Sequence, residues 1–598
     1  DLRRLWALGN QLQRLTPLSE VAASALLEAQ AMSNDRLGAL VSYDRWRDNL
    51  AEELGAVPSQ SIERMANTLR QRDLVPLGQP PAQQRTATSA VHTQFVGRHD
   101  SFEQCYRAWQ NVRHGNAQRL IIDGEDGIGK TALAERVLAV ASLEGGHIAY
   151  TECYMMGREL PFNTLSTLIT QLIGLAGSSA TPPEALTILG EISQTVRQRW
   201  PHLPYSTPSD GNNLTLRLVD SVAALIAAVS DERPLVIVID DVHLADTASL
   251  TAYYAVLNRI ASSAFLSILT CESLTSSHRH LEDPCSVLLT DLRAISLSLA
   301  PLSPPESSEL LDTLLGDTSD PGPTVRRAIL TGGAGNPLAL RLLVADWCDQ
   351  GADSLAIATR AMLPAVRTKA AYSQRSLVAD KVRYLPPDVR AVAQLCAVLG
   401  ARLQDLSLFE LVDLSPPKVI RAMAQLIEQQ LLRDTGGQLT FVNDVVRGEC
   451  YHSMSASLRQ ILHSLVADHI LSHAGNALPS LQLEIAWHLV RAQRLEEAAP
   501  HLIAGGRNSI QKGAPHEAEL ALSTGYQILT GREQRVGALQ LAEALQELGR
   551  WEESVRVLVV PASSFDQNEA CLREVLVATA QRWMGDTTTD RLIASTSA

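Results

Sequence analysis

The sequence is short of the residues that bind structural zinc or cross-link small secreted domains. Its 598 residues contain eight cysteines, with no Cys-x-x-Cys pair and no His/Cys cluster at zinc-ligand spacing. It also lacks an apolar run approaching the roughly 20 residues that cross a bilayer, and no signal peptide opens it. We therefore expect a cytoplasmic protein whose cysteines are free thiols.

Basic charge is scarce as well. With 65 acidic and 51 basic residues, the formal net charge is −14, which argues against a chain that clamps nucleic acid along its length. The apolar fraction of 45 % is ordinary for globular protein, and the length predicts about four domains of roughly 150 residues each. Because the first residue, Asp1, falls within a helical pattern and is not Met, we expect a piece of a longer protein or a processed one.

The sequence does contain a phosphate-binding loop. Residues 124–131 (GEDGIGKT) fill the pattern G-x-x-x-x-G-K-[ST], after an apolar run at 120–122 and before a helix-forming run at 132–136. In such a loop backbone N–H groups cradle the phosphates, so we expect Lys130 to reach the β/γ-phosphates and Thr131 to hold Mg²⁺. The predicted nucleotide-binding residues here are Gly124, Glu125, Asp126, Gly127, Ile128, Gly129, Lys130, Thr131 and Ala132.

An acidic motif follows about a hundred residues later. The apolar run at 235–239 (LVIVI) leads directly into Asp240 and Asp241, and a buried strand that ends in carboxylates can hold the metal and orient a water. We assign Asp240 to Mg²⁺. The alternative is a core strand with solvated acids at its tip, but the two motifs together predict that the chain binds a purine nucleotide.

Further strand patterns place this site on a sheet. Apolar runs at 147–150 and 265–270 alternate with helical patterns, which predicts a doubly wound parallel sheet with the nucleotide at the carboxyl ends of the strands.

The N-terminal region is helical in pattern over residues 1–75, and residues 76–94, rich in Pro, Gln and Thr, are typical of a linker. The segment 36–65 (RLGALVSYDRWRDNLAEELGAVPSQSIERM) resembles the end of the bacterial transcriptional activator domain of the SARP class of antibiotic-pathway regulators. That resemblance implies an OmpR-type winged helix that reads DNA upstream of Asp1, and not DNA binding by this chain. An unrelated helical-repeat scaffold is the alternative.

The next segments resemble the STAND class of signal-transduction ATPases. They are FVGR at 95–98, the phosphate-binding loop, and IDDVHLADTAS at 239–249. The resemblance implies an adenine contact by Val96, Gly97 and Arg98, and catalysis by Asp241, as activator of water, together with Lys130.

Residues that follow the acidic motif have less specific roles. We prefer a structural role for His243 over a catalytic base or metal ligand, and we expect Asp246 to cap the next helix, with Thr247 and Ser249 as alternatives.

The chain departs from the STAND pattern at one place that bears on hydrolysis. Relatives carry an arginine just beyond the strand at 265–270, whereas this chain has Glu272 there and no arginine before Arg279. A glutamate beside a triphosphate is repulsive. Either Arg279 substitutes or turnover is slow, and we expect a slow ATPase that serves as a switch.

Two later motifs extend the resemblance to the rest of the nucleotide site. In GGAGNPLALRLL at 332–343 Pro337 corresponds to the lid proline that lies against adenine, although a Gly-Asn-Pro turn is equally good capping chemistry. Short helices and apolar runs at 431–434 and 439–442, separated by a turn at 435–438, predict a winged helix. Its Asn443 stands where relatives place a histidine on the ADP β-phosphate.

The C-terminal region resembles tetratricopeptide repeats. Residues 541–558 form the clearest unit, and Glu517 and Glu553 are 36 residues apart, close to a repeat period of about 34. Such helix pairs bind peptides or partner domains on a concave face. A helical cap is the alternative, and we expect further repeats beyond Ala598.

Together these patterns predict a multidomain α and α/β protein that binds ATP or ADP with Mg²⁺, and the resemblances imply that it regulates transcription. Partners implied are DNA through the upstream domain, RNA polymerase or other transcription proteins, a protein or small-molecule signal on the repeats, and a second copy of the chain. The alternatives are a STAND sensor with a non-transcriptional effector and a DNA-associated AAA-type motor. The predicted domains are 1–75 (activator), 76–94 (linker), 95–300 (ATPase core), 301–380 (helical lid), 381–455 (winged helix) and 456–598 (repeats).

Overall fold

The computed structural model describes most of the chain beyond residue 94. The described ranges are 95–204, 211–260, 263–272, 289, 291–316, 321–350, 374–400, 411–412, 414–434, 439–475, 478–559 and 565–584, with 36–54 and scattered positions between 18 and 66 before them. Arg279 and the turn predicted at 435–438 therefore lie outside the described residues. Among the described helices, not one combines the length and the apolar character that crossing a bilayer requires.

Five parallel strands form the central sheet. They are β1 (Gln118–Gly124), β2 (His147–Glu152), β3 (Leu235–Asp240), β4 (Phe265–Glu272) and β5 (Ile295–Leu299). Their spatial order is β2-β3-β4-β1-β5, and each neighbouring pair runs parallel. All six residues of β3 are buried, as expected for a strand covered by helices on both faces. This confirms the predicted doubly wound parallel sheet.

Helices cover the sheet and supply the two apolar layers against it. They are α2 (His99–Arg113), α3 (Lys130–Leu143), α4 (Asn163–Ile173), α5 (Pro183–Ile192), α6 (Gln194–Arg199), α7 (Gly211–Glu232) and α8 (Thr247–Arg259), while α1 (Arg36–Leu54) precedes them in the N-terminal region. On one face Trp109 and Leu133 pack with Val236 and Val238 of β3. On the other, Ile237 and Ile239 pack with residues of α4, α7 and α8.

A helical lid and a winged helix follow the sheet. The lid helices are α9 (Pro304–Leu315), α10 (Gly322–Gly333) and α11 (Pro337–Gln350), and the next helices are α12 (Gln374–Tyr384), α13 (Pro387–Leu399) and α14 (Pro416–Glu428). Strands β6 (Leu432–Asp434) and β7 (Leu439–Phe441) then pair antiparallel. Helices that lead into a two-stranded hairpin are the arrangement predicted for the winged helix.

The remaining described elements are helices, the first of which still belongs to the predicted winged-helix range. They are α15 (Asp444–His452), α16 (Ala456–His473), α17 (Leu478–Arg491), α18 (Leu495–Gln511), α19 (Pro515–Ile528), α20 (Gly531–Glu547), α21 (Trp551–Val557) and α22 (Gln567–Trp583). The turns before α18, α19 and α21 each contain a residue with positive φ: Gln493, Gly513 and Gly549. Consecutive helices from α16 to α21 contact each other, as stacked repeats do.

The repeats also dock on the ATPase core. Glu517, in the first turn of α19, accepts a hydrogen bond through Oε1 from the backbone N–H of Ala248 at 3.1 Å. Ala514 is fully buried within the apolar cluster of the core, and Arg491 Nη2 lies 2.7 Å from Glu159 Oε2. The first turn of α8, immediately after the acidic motif, is therefore covered by the repeats.

Candidate nucleotide and metal site

The predicted phosphate loop and acidic pair meet at one edge of the sheet. In the strand register Gly124 pairs with Glu272 of β4 and with Leu299 of β5, and Glu152 pairs with Asp240. These residues end their strands, so the carboxyl ends of β1 to β4 form one edge, where doubly wound proteins bind ligands.

The phosphate-binding loop has the backbone that close approach to phosphates requires. Gly127 and Gly129 have φ values of 67° and 105°, in a region of backbone conformation that residues other than glycine rarely adopt. Lys130 is 5 % exposed, and its Nζ donates to the carbonyl oxygens of Gly124 and Glu125 at 3.0 and 3.1 Å. The ammonium group therefore lies inside the loop, where a phosphate can replace the carbonyl oxygens as acceptor.

Thr131 and Asp240, the two predicted metal ligands, are in direct contact. The Thr131 hydroxyl donates to Asp240 Oδ2 at 2.8 Å, and Asp240 Oδ1 accepts from the hydroxyl of Thr270. A hydroxyl and a carboxylate are the hard oxygen donors that suit Mg²⁺, which keeps several waters and takes few protein ligands. These side chains therefore fit the metal that the phosphate loop implies.

Asp241 lies beside this pair in a left-handed backbone conformation. Its φ is 52°, and its backbone N–H donates to Thr270 Oγ1 at 2.8 Å. Burial, with a further contribution from the adjacent Asp240 carboxylate, raises the pKa of Asp241 well above the ordinary value, against the lowering effect of Lys130. A carboxyl group with a raised pKa at this edge is suited to accept a proton from water.

The predicted adenine segment lies between the loop and the lid. Arg98 has a φ of 60°, its Nη2 donates to the carbonyl oxygen of Ile128 at 3.3 Å, and Val96 packs against the lid cluster. A Cβ on Gly97 would come within 2.5 Å of Glu306 Oε1. The structure thus places Arg98 against the phosphate loop, and Val96 and Gly97 against the lid.

The lid contacts the same loop through the start of α11. Asn336 Nδ2 donates to the carbonyl oxygen of Asp126 at 2.9 Å, and the backbone N–H of Leu338 donates to that of Gly127 at 3.2 Å. Asn336 Oδ1 also accepts from Leu338 and Ala339, which caps the helix. Pro337 therefore begins a capped helix and lies next to the phosphate loop at the same time.

Asn443 and Asp246 act as helix caps. Asn443 Oδ1 accepts from the N–H of Val446 at 2.9 Å and begins α15. Asp246 is fully buried and accepts three backbone N–H groups, from Ser249 on its own helix and from Phe162 and Thr164 at the start of α4. The predicted cap of α8 by Asp246 is thus confirmed, and it joins two helices.

His243 and Glu272 flank the acidic motif. Burial lowers the pKa of His243, which favours the neutral ring, and its Nδ1 has no hydrogen-bond partner among the described residues. No group of three potential metal ligands occurs in the described part of the chain. Glu272 is exposed at the end of β4.

Four residues at this edge were missed by the sequence analysis. The Tyr150 hydroxyl donates to Asp240 Oδ2 at 2.8 Å, and Arg433 of β6 contacts Tyr150 together with Glu135 and Glu152. Burial raises the pKa of Glu152 to about 7, against the lowering effect of Arg433. Alternation along β2 could have predicted that Tyr150 and Glu152 share a face, but no sequence signal connects Arg433 to them.

Comparisons with known proteins agree with the motifs. Residues 94–269 match the family described as AAA ATPase domain, and residues 2–70 match the bacterial transcriptional activator domain. No curated protein matches the chain.

Several solved structures are similar. One is a STAND protein with a tetratricopeptide repeat sensor from Pyrococcus horikoshii, at 14 % identity and a TM-score of 0.40, covering 82 % of this chain and 68 % of that one. Another is the Aeropyrum pernix ORC1 protein in complex with DNA, at 18 % identity and a TM-score of 0.30, covering 60 % of this chain and 93 % of that one. A third is AMPPCP-bound DnaA from Aquifex aeolicus, at 12 % identity and a TM-score of 0.29, covering 60 % of this chain and 97 % of that one.

The two family matches lie in the order that the motifs predicted. The match at 2–70 contains α1, and the match at 94–269 contains the phosphate loop, the acidic pair, strands β1 to β3 and most of β4. The chain therefore joins a bacterial transcriptional activator domain to an AAA ATPase domain, which confirms the combination predicted from its resemblance to the SARP class of regulators.

Proposed function

We propose that this chain is an ATP/ADP-controlled transcriptional regulator of the STAND class. The observation that carries the proposal is the convergence of Lys130, Thr131 and Asp240 at a sheet edge that the lid and the winged helix both contact. A nucleotide bound there would lie where these three domains meet. Its phosphates are therefore positioned to alter how those domains pack.

The residues at the edge take distinct roles toward the nucleotide. Lys130 binds the β/γ-phosphates, Thr131 and Asp240 hold Mg²⁺, and Asp241 accepts a proton from the attacking water. Mg²⁺, when bound, neutralises charge that develops on the phosphate oxygens. Val96, Gly97, Arg98 and Pro337 form the adenine side of the site.

The switch requires a second input besides the nucleotide. A state-selective nucleotide at about 1,000 times its Kd shifts the equilibrium by about 4 kcal/mol, whereas reversing a 1:99 population requires about 5.5 kcal/mol. A protein or small-molecule ligand on the repeats supplies the remainder. The activator domain then releases or pairs DNA-reading domains upstream of Asp1, and it contacts RNA polymerase or other transcription proteins.

The proposed ADP-bound state is held less tightly than it would be with a histidine in place of Asn443. An asparagine can donate one hydrogen bond to the β-phosphate but carries no charge. We expect Asn443→His to tighten ADP binding by about tenfold, since a charge-assisted bond contributes about 1.5 kcal/mol or more, and to do so more at pH 6 than at pH 8. Isothermal titration with ADP measures this.

The histidine substitution also removes the cap on α15, so a matched control is needed. Asn443→Ala removes the cap without adding a cation, and we expect it to leave ADP affinity unchanged or weaker. Equal ADP affinity in Asn443→His and wild type at pH 6 would contradict the role given to this position.

The proposal as a whole is tested by the nucleotide content and turnover of the purified chain. We expect co-purified ADP and slow ATP hydrolysis, with Asp241→Asn retaining ADP but losing at least about 100-fold in turnover, the usual scale for a proton acceptor. Fast turnover stimulated by DNA would instead support a motor. Absence of both nucleotide and turnover would contradict nucleotide control altogether.

A further inference from the structure

A side chain of the winged helix reaches the metal edge of the ATPase core. Arg433 on β6 donates through Nη1 to Glu135 Oε1 at 2.6 Å, and through Nη2 to the Tyr150 hydroxyl at 3.0 Å and to Glu152 Oε2 at 3.3 Å. Its Nε donates to Thr440 Oγ1 on the neighbouring strand at 3.1 Å. One guanidinium nitrogen thus holds the hairpin and the other two hold the core.

The contact continues from Tyr150 to the metal-binding carboxylate. Because the Tyr150 oxygen accepts from Arg433, its own proton is directed to Asp240 Oδ2 at 2.8 Å. Asp240 Oδ2 also accepts from the Thr131 hydroxyl at 2.8 Å. The other carboxylate oxygen, Asp240 Oδ1, accepts from the Thr270 hydroxyl. Both Asp240 oxygens are therefore bonded to protein donors, and one of these donors, the Tyr150 hydroxyl, is itself held by Arg433 of the winged helix.

The Arg433 guanidinium also places a positive charge among the acidic side chains of this edge. Four acidic side chains meet at this edge: Glu135, Glu152, Asp240 and Asp241. The Arg433 side chain is 19 % exposed and that of Glu152 is 20 %, so solvent and salt screen the guanidinium only weakly. Arg433 supplies at this edge the positive charge that Mg²⁺ would otherwise supply.

We propose that Arg433 is a positioning residue through which docking of the winged helix opposes Mg²⁺ binding. It acts by holding the Tyr150 hydroxyl on Asp240 and by placing a cation beside the metal site. Because coupling between two binding events is reciprocal, Mg²⁺ with nucleotide weakens docking of the hairpin by the same factor. This inference rests on the proposed nucleotide site and specifies how the winged helix senses its metal.

A simple interdomain ion pair is the competing interpretation. It would hold the winged helix in place without any effect on the metal. Tyr150→Phe separates the two, since it removes only the hydroxyl that reaches Asp240 and leaves the pairs of Arg433 with Glu135 and Glu152. Arg491→Met is the matched control, because Arg491 pairs with Glu159 at 2.7 Å across a different interface of the core.

The experiment titrates Mg²⁺ against binding of a fluorescent ADP analogue by the wild type and the variants. We expect Arg433→Met to lower the half-saturating Mg²⁺ concentration by about tenfold, since it removes a cation near the metal, and Tyr150→Phe to lower it by about threefold. In the double variant, the half-saturating Mg²⁺ concentration should lie within about twofold of that in Arg433→Met, because the tyrosine acts through its contact with the arginine. Arg491→Met should match wild type.

Amide hydrogen exchange in residues 439–441 provides a second readout that does not depend on turnover. In wild type we expect exchange to accelerate when Mg²⁺ is added to the ADP-bound protein, and in Arg433→Met to be fast already without Mg²⁺. An unchanged Mg²⁺ requirement in both variants, or an equal shift in Arg491→Met, would overturn the inference alone. A wild type that binds no ADP would overturn the proposed function and this inference with it.

Discussion

Lys130→Ala is expected to weaken ATP and ADP binding by at least about 100-fold, since two charge-assisted bonds to phosphate contribute about 1.5 kcal/mol or more each. The side chain is buried in the loop and bonds to two loop carbonyl oxygens. Phosphate oxygens would take the place of those acceptors. Titration calorimetry with ADP, and the nucleotide content of the purified variant, measure the loss.

The loop itself has to stay folded for this result to be informative. The thermal midpoint without nucleotide reports that directly, and Lys418→Ala is the matched control, because Lys418 pairs with Asp388 at 3.3 Å on an exposed surface. We expect the control to bind ADP as wild type does. ADP affinity within about threefold of wild type in a folded Lys130→Ala would remove the phosphate role of this lysine.

Glu517→Gln is expected to remove a pH dependence from the contact between the repeats and the ATPase core. Glu517 is 4 % exposed, and burial, together with the nearby Asp246 carboxylate, raises its pKa to about 7. Because the pKa is raised in the docked state, docking is favoured fully when the pH is below the ordinary pKa near 4.5. That stabilisation is lost as the pH rises through about 7. Between pH 5.5 and 8 the loss is about 2 kcal/mol.

Thermal midpoints measured at pH 5.5 and 8 test whether stability falls as the pH rises. Wild type should lose more stability than Glu517→Gln over this interval, because glutamine remains neutral and still accepts from the N–H of Ala248. Glu519→Gln on the same helix, where Glu519 pairs with Arg550 at 3.5 Å, should follow wild type. Parallel pH profiles for wild type and Glu517→Gln would show that Glu517 does not titrate in the docked contact.

Local patterns predicted the parts of the fold whose signals are local. The loop at 124–131 is defined by glycine and lysine spacing, and β3 by an uninterrupted apolar run. The two strands of the hairpin were predicted by apolar runs around a turn. By contrast, β5 (ISLSL) was missed, although its alternation of apolar residues and serines is a strand pattern.

Contacts between domains could not be predicted in the same way. Arg433 and Tyr150 are 283 positions apart, and no periodicity links the hairpin to β2. Glu517 belongs to the repeat pattern, which places it on a helix but does not indicate that the ATPase core covers it. The adenine roles of Val96, Gly97, Arg98 and Pro337 remain predictions, although Arg98 contacts the phosphate loop and Pro337 lies beside it.

Amide hydrogen exchange tests whether nucleotide state controls how the winged helix and the repeats dock on the ATPase core. The measurement compares the protein bound to ADP without Mg²⁺, in which the hairpin is docked, with the protein bound to Mg²⁺ and a non-hydrolysable ATP analogue, and it follows residues 247–250, 515–518 and 439–441. We predict that exchange at these interfaces is at least about tenfold faster in the ATP form, while β3 stays equally protected in both. Equal protection of all three segments in the two nucleotide states would show that nucleotide does not control docking.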